Sequence, residues 1–411
     1  MVIFKNPLYA YAMSFLVAFG VYHLGWAEFY PELTFEVKVF LLFTIITSVI
    51  FGKLLGKFGW INFTRKQFSG VNICLLNCNK IVSFLYLMLL LEAIFCGGLP
   101  LIGIITQANN ITYVDFGIPS FHVVFFTFKN FYLSVLFWGY LHEKNKTYIY
   151  YYIVVLIIDV FIVNRADILC NLLAALSMYA IFNHGKKYQC HMYLKLILAI
   201  LVVLFLFGVF GNYRSSVAFG FQYTSDLILT IGQATDTFKE SFIPDEFFWS
   251  YIYISSPLAN LQHIMDVYSK YHTDYLMSLD DFWGTLGYGV LPNFLSKRIM
   301  PELGYEYPVI ELLVDKLNVS TMYASSCYYM GVTGMLLHFF ALIFVVYINL
   351  YVFSNNRYSF IVTSILVVMC IFSMFNNFLS SVGWMGQIFY IFLLTKTRIF
   401  EGFLYKKGDV N

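Results

Sequence analysis

The feature that most constrains this chain is a succession of long apolar stretches running almost from end to end. It is interrupted once, by a polar segment from about Arg214 to Ser325. Each stretch is long enough to cross a hydrocarbon core about 30 Å thick as a helix. Inside a bilayer only helices and closed barrels satisfy their own backbone polar groups. The chain is 60% hydrophobic and 12% charged, with a mean hydropathy of +0.73, whereas soluble domains carry about 25% charged residues. The prediction is an all-α polytopic membrane protein. A net charge of +2 gives no preference for nucleic acid or acidic substrates. The first apolar run, Leu8 to Trp26, is followed by further spans and is expected to be retained, not cleaved as a signal peptide.

Ten spans are predicted, at about 8–26, 34–55, 80–101, 119–141, 147–163, 167–184, 192–213, 326–353, 358–379 and 382–400. Basic residues mark cytoplasmic loops. Lys5, then Lys53, Lys57, Arg65, Lys66 and Lys80, then Lys144 and Lys146, fall in loops of one parity. So do Lys186, Lys187 and Lys195, then Arg357, then Lys396, Arg398, Lys406 and Lys407. The short loops of the other parity carry Glu28, Glu32, Glu36 and Asp115. Both termini are therefore expected in the cytoplasm and the polar insert outside. The chain divides into residues 1–213 with seven spans, an outer loop over 214–325, and residues 326–411 with three spans and a cytoplasmic tail.

Of the seven cysteines, only Cys327 touches the insert, at its far edge, so no disulfide framework is expected there. Cys74 and Cys78 form at most half a metal site, with no His or Cys pair nearby to complete it. Neither metal nor cofactor is expected.

Two arginines run against the charge bias. Arg165 stands in Val-Asn-Arg-Ala-Asp (163–167), and Arg214 ends the seventh span in Gly-Asn-Tyr-Arg-Ser-Ser (211–216). A guanidinium at the outer boundary loses hydration unless it finds a partner. One reading is a side chain snorkelling to lipid headgroups. The other, favoured by two arginines at neighbouring outer ends, is an anion site, because arginine's planar fork grips a phosphate or diphosphate in a bidentate way. Lys38, Glu92, Lys129 and Asp159 are ionisable residues within the spans and functional candidates for that reason. The lysines are expected to pair with acids. Asp159 is placed to orient Arg165 or to form a structural ion pair.

The insert reads as three pieces. Residues 222–241 have an apolar period through Leu227, Ile228 and Ile231 and are expected to be helical. An aromatic run from Asp245 to His272 follows Pro244, and Pro257 is expected to break or kink a helix within it. Residues 278–316, with Pro292, Pro301 and Pro308, read as short amphipathic helices on the membrane surface. Aromatic rings beside Asn, Gln, Ser and carboxylates suit a sugar surface, and an interfacial aromatic belt produces the same composition. The substrate-binding candidates are Asp159, Tyr253, Ser256, Asn260, Asp280, Asp281, Arg298, Asn318 and Thr321. His263 is the candidate base, since an imidazole takes a proton near neutral pH. Asp266 is placed one turn later to hold its ring, and His272, Asp280 and Asp281 are rivals for the base role. No DxD, HExxH or phosphate-binding glycine loop is present, which makes metal-independent chemistry the natural expectation.

The topology, the two outward arginines and the stretch Tyr-Ile-Tyr-Ile-Ser-Ser-Pro-Leu-Ala-Asn-Leu (251–261) resemble the Wzy-type oligosaccharide repeat-unit polymerases. That family makes O-antigen or capsular polysaccharide in Gram-negative bacteria. Asn318, Thr321 and the Gly331…Gly334 pair resemble a second family segment, with Tyr329 and Met330 standing where the family carries an acid and an aromatic. The resemblance implies a fold related to the GT-C-like lipid-linked glycan transferases, in the bacterial inner membrane with its site facing the periplasm. It implies undecaprenyl-diphosphate-linked oligosaccharides as substrates, a chain-length-determining co-polymerase as partner, and contact with membrane lipids. One lipid-linked chain would pass its reducing end to the non-reducing end of a new unit. Arg165 and Arg214 would hold the diphosphate and His263 would act as base. Three other readings stay open: an O-antigen ligase, a flippase or transporter without chemistry, and an assembly scaffold.

Overall fold

The structure, a computed structural model, describes residues 3–61, 77–106, 115–183, 190–218, 226–271, 278–314, 317–356 and 358–396. Within these, the side chains of residues 190–197, 199, 214, 215, 217, 218, 227 and 396 are outside the description. The described residues form helices and irregular connections, and their only β contact is an isolated bridge between Ala27 and Ala234.

The first part of the chain gives α1 (Pro7–Tyr22), α2 (Phe35–Lys57), α3 (Cys78–Cys96), the short α4 (Pro100–Thr106), α5 (Phe121–Glu143), α6 (Lys146–Ile162), α7 (Arg165–Phe182) and α8 (Cys190–Ala218). The insert contributes α9 (Leu227–Ile231), α10 (Asp236–Lys239), α11 (Phe247–Tyr271), α12 (Leu279–Thr285), a π-helical turn (Leu286–Val290) and α13 (Asn293–Glu302). Then come α14 (Ala324–Phe353), α15 (Ser359–Phe372), α16 (Val382–Met385) and α17 (Gln387–Lys396). Five helices, α2, α3, α5, α7 and α14, are long and apolar enough to cross a membrane. Pro7–Tyr22, Ile200–Tyr213, Ser359–Phe372 and Val382–Thr395 are shorter apolar helices. The chain thus has the character of a helical membrane protein.

Local chemistry sets the boundaries. Asn6 caps α1 by accepting from the Leu8 N–H, and Pro7 fills the first turn, where its missing N–H costs nothing. Gly97 takes a left-handed conformation (φ 79°) and ends α3 short of the predicted 101. Lys144 and Val163 end α5 and α6 with positive φ, and Asn145 and Asn164 cap the helices that follow.

At the centre, α15 is apolar on every side and buried along nearly all its length, as such a helix must be. It packs against α1, α7 and α14, while α1 also packs against α2 and α11. Tyr11 and Tyr323, both fully buried, share a hydrogen bond between their hydroxyls. A satellite cluster of Ala27, Ile228, Ala234, Phe238, Phe248, Trp249, Tyr251 and Ile252 joins the loop after α1 to the insert.

Three expectations change here. First, α11 runs unbroken through Pro257. Proline in a helix interior costs roughly 3 kcal/mol, but Ile252 before it and Leu258, Ala259 and Leu261 after it are sealed in the core. The Ser255 hydroxyl reaches back to the Tyr251 carbonyl at 2.6 Å. Tertiary packing overrides the local preference. Second, the described part of 222–241 is two short helices instead of one, separated at Gly232–Thr235, where Gln233 has φ 44° and Ala234 bridges Ala27. Third, α14 is interrupted at Met330 (φ −136°, ψ 16°) and Gly331 (φ 53°, ψ −137°). Its long helical run therefore starts after Gly331 and not at 326.

Candidate functional site

The most polar buried region lies where α5, α6 and α7 meet. Lys129 on α5 bonds Asp159 on α6 and, at 2.7 Å, Asp167 on α7; Lys129 and Asp159 are 0% exposed. The Asn130 amide donates to Asp167 Oδ1 (3.0 Å), and the Asn171 amide donates to Asn130 Oδ1 (3.0 Å). The Lys129 ammonium also lies 3.9 Å from the centre of the Phe126 ring, a cation–π contact. The lysine thus staples α6 and α7 on both sides of the corner that joins them.

That corner carries Arg165. Val163 sits in the left-handed region (φ 63°), strained for a β-branched residue. The Asn164 side chain then accepts from the Asp167 N–H, and Arg165 heads α7 with an exposed side chain. Lys129 lies eight residues into α5 from Phe121, roughly 12 Å along the helix axis. Immediately before α5 begins, the Ser120 hydroxyl accepts from the Arg298 guanidinium of α13 at 2.7 Å.

Asp159 belongs to Lys129 and not to Arg165, which corrects one of the two roles foreseen for it. The physical reason is depth: a fully buried carboxylate needs a buried counter-charge, and the exposed guanidinium is not one. Glu92, also fully buried, pairs with His122 at 2.9 Å. Lys38 makes no ion pair among the described residues.

The second expected arginine lies on α8. The backbone at Arg214 is helical and its side chain lies outside the description. The outer part of α8 docks closely on the start of α11. A β-carbon at Gly208 would stand 1.9 Å from the Glu246 carbonyl oxygen, and one at Gly211 would stand 2.7 Å from the Trp249 ring. Trp249 Nε1 donates to Asn212 Oδ1 at 2.6 Å. Tyr253, 37% exposed, meets Phe207 edge-on at 4.9 Å.

His263 is half-buried on α11, and no described residue hydrogen-bonds its ring. Asp266 does not hold it: its carboxylate accepts from the Gln262 amide at 2.7 Å. The α11 helix packs against α1, α8 and α14, whereas α7 packs against α5, α6 and α15. His263 and Arg165 stand on different helices, α11 and α7, and no described bond joins them. His272 lies outside the described residues.

Other expected contacts turn out to be occupied within the protein. Asn260 is 1% exposed and donates to the Leu317 and Val319 carbonyls, each at 2.7 Å, while accepting from the Leu313 N–H at 3.0 Å. Its amide clamps the irregular segment that follows α13. Ser256 is buried beside Tyr30, and Ser255 reaches the Tyr30 hydroxyl at 3.1 Å. Burial raises both the Tyr30 and Tyr251 phenols above their ordinary range, so they remain neutral. Asp281 forms a capping box with Ser278, and Asp280 accepts from the Tyr305 hydroxyl at 3.2 Å. Thr321 is buried and accepts from the Tyr323 N–H at 3.3 Å, while Asn318 is exposed.

A third polar group escaped the sequence reading. Ser326 Oγ lies 2.7 Å from His338 Nδ1, both at 0% exposure, and the Asn377 side chain is beside the ring. Asn377 also donates to the Gly289 carbonyl of the π-helical turn at 2.7 Å. The signal was present in the Gly331…Gly334 pair, since the break there is what brings Ser326 back to His338. No family model, no curated protein and no solved structure matches this chain.

Proposed function

We propose that this protein is a polymerase of polyprenyl-diphosphate-linked oligosaccharide units, working at the outer face of a bacterial inner membrane. In this reading ten helices cross the membrane, both termini are cytoplasmic, and the fold is related to the GT-C-like glycan transferases. The observation that carries the proposal is Arg165: an exposed guanidinium at the head of α7, on a strained corner fixed from beneath by Lys129. An arginine at a helix N-terminus is a double anion site, because the dipole and the fork both favour phosphate. Its charge would stabilise the departing diphosphate without need of a metal. Arg214 would supply a second fork from α8, and His263 the base for the acceptor hydroxyl. The exposed Tyr253, Asp280, Arg298 and Asn318 are the expected residues left facing outward for the glycan. A chain-length-determining co-polymerase is the expected protein partner. Bridging Arg165 on α7 and His263 on α11 would be the work of the long lipid-linked substrate itself.

A carrier of the lipid-linked glycan is the second reading. It draws on the interrupted α14 and the buried charges at Lys129, both features of helical transporters. A surface-glycan gel from the native host separates the two. In a deletion strain complemented with Arg165→Ala or Arg214→Ala, the polymerase reading expects single-unit glycan without a ladder. Loss of every glycan-bearing band would favour the carrier or a ligase, and a normal ladder would remove the arginine clamp.

A further inference from the structure

We infer that the Lys129–Asp159–Asp167 cluster is a binding site for one additional positive charge, a proton or an alkali cation, seated on Asp159. The inference is independent of the polymerase reading. It begins from a charge count. One ammonium faces two carboxylates, and the set is sealed from solvent: Lys129 and Asp159 are 0% exposed and Asp167 is 8% exposed. A net negative charge left in such a place is strongly disfavoured even after relaxation, so a compensating charge is favoured.

The geometry says where it belongs. Asp167 is fully served, accepting from Lys129 (2.7 Å), from Asn130 (3.0 Å) and from Asn171 (3.3 Å). It also sits in the first turn of α7, where the positive end of the helix dipole supports its charge. Asp159 has the opposite setting. It lies in the last turn of α6, where the dipole end is negative, and its Oδ2 has no partner among the described residues. Asn171 Oδ1, 3% exposed, is a second buried acceptor without a described partner. The unserved carboxylate oxygen of Asp159 and one surplus negative charge define a site for a proton or a cation.

The surrounding groups supply no substitute. On α6 itself, Tyr152 donates its hydroxyl to the Asn171 carbonyl at 3.0 Å. On α7, Cys170 is a buried thiol near Asp167, and Arg165 is exposed and makes no described ion pair. On α3, which packs against α6, Glu92 is taken by His122, and α4 carries no titratable side chain. Occupancy would decide whether the two carboxylates flanking the α6–α7 corner attract Lys129 together or repel each other, and so how firmly the corner is set.

The test uses the full chain in lipid nanodiscs, comparing wild type with Asp159→Asn, which cancels the surplus charge while keeping the side chain's shape. Thermal unfolding is followed from mildly acidic to alkaline pH, in choline chloride, sodium chloride and potassium chloride at equal ionic strength. A bound proton predicts a wild-type midpoint that falls by several degrees as pH rises, in all three salts, with the fall absent from Asp159→Asn. A bound alkali cation predicts that sodium or potassium holds the wild-type midpoint above its value in choline, again only when Asp159 is present. Asp167→Asn makes the same charge change from α7 and serves if Asp159→Asn fails to fold. A wild-type midpoint indifferent to both pH and salt, or a variant that keeps the wild-type dependence, overturns the inference.

Discussion

Ser326 and His338 lie twelve positions apart on one stretch of chain, yet Ser326 Oγ and His338 Nδ1 meet at 2.7 Å. In an unbroken helix that separation would place them roughly 18 Å apart. The chain therefore folds back at Met330–Gly331, and residues 324–329 lie alongside the start of the long helical run. Such a return is tolerated at membrane depth only where the protein buries it, as it does here between α11, α12 and α15.

Gly331 is the hinge of that return. Its φ of 53° disfavours any side chain, and a β-carbon would stand 2.5 Å from Tyr268 Cε1. Gly331→Ala is expected to destabilise the protein by about 1–3 kcal/mol. Lower thermal midpoints in detergent, with new protease cleavage between α12 and α14, check this.

Lys129→Met leaves two buried carboxylates without their cation. Breaking a buried pair in this way costs about 3–5 kcal/mol, so the variant should be scarce in the membrane. Arg165→Ala, at an exposed position, should accumulate normally. Quantitative immunoblots of membranes carrying each variant distinguish a residue that holds the fold from one that meets substrate.

Asn260→Ala should behave as a structural lesion. It strands two carbonyls and one N–H on the 313–319 segment, at about 1–3 kcal/mol for each group left unsatisfied. Hydrogen exchange in that segment is expected to quicken severalfold. If exchange there is unchanged while glycan synthesis stops, Asn260 acts on substrate instead.

Gly208→Val tests the docking of the insert on α8. The added side chain meets the Glu246 carbonyl oxygen and cannot be relieved by a rotamer change. The start of α11 should separate from α8, seen as a slower-forming disulfide between engineered cysteines at Asn212 and Trp249 than in a protein with Gly208 intact.

Much of this architecture was legible in the sequence, because lipid imposes long apolar helices and leaves few alternatives. Each predicted span contains helical residues, five of the helices are long and apolar enough to cross a membrane, and the short helices after 278 are present. What sequence could not supply was partnership. Lys129, Asp159 and Asp167 come from three helices, and only packing shows that the lysine takes both acids and leaves Arg165 without an ion pair among the described residues. The run Ser-Ser-Pro-Leu-Ala-Asn-Leu pointed to a family, yet its residues are mostly buried and hold α11 in place. Local propensity misread Pro257 for the same reason, since the core on either side decides the helix. The Gly331…Gly334 pair marked where α14 breaks, but linear spacing does not reveal that the break brings Ser326 back onto His338.

The most direct measurement is of purified protein in proteoliposomes supplied with polyprenyl-diphosphate-linked repeat units, following glycan length and release of free polyprenyl diphosphate together. Wild type should lengthen the glycan and release one diphosphate for each bond formed, Arg165→Ala should do neither, and Arg165→Lys should recover little because a point charge does not replace the fork. Undiminished chain growth by Arg165→Ala, or movement of the lipid-linked units across the bilayer with no diphosphate released by wild type, would contradict the account.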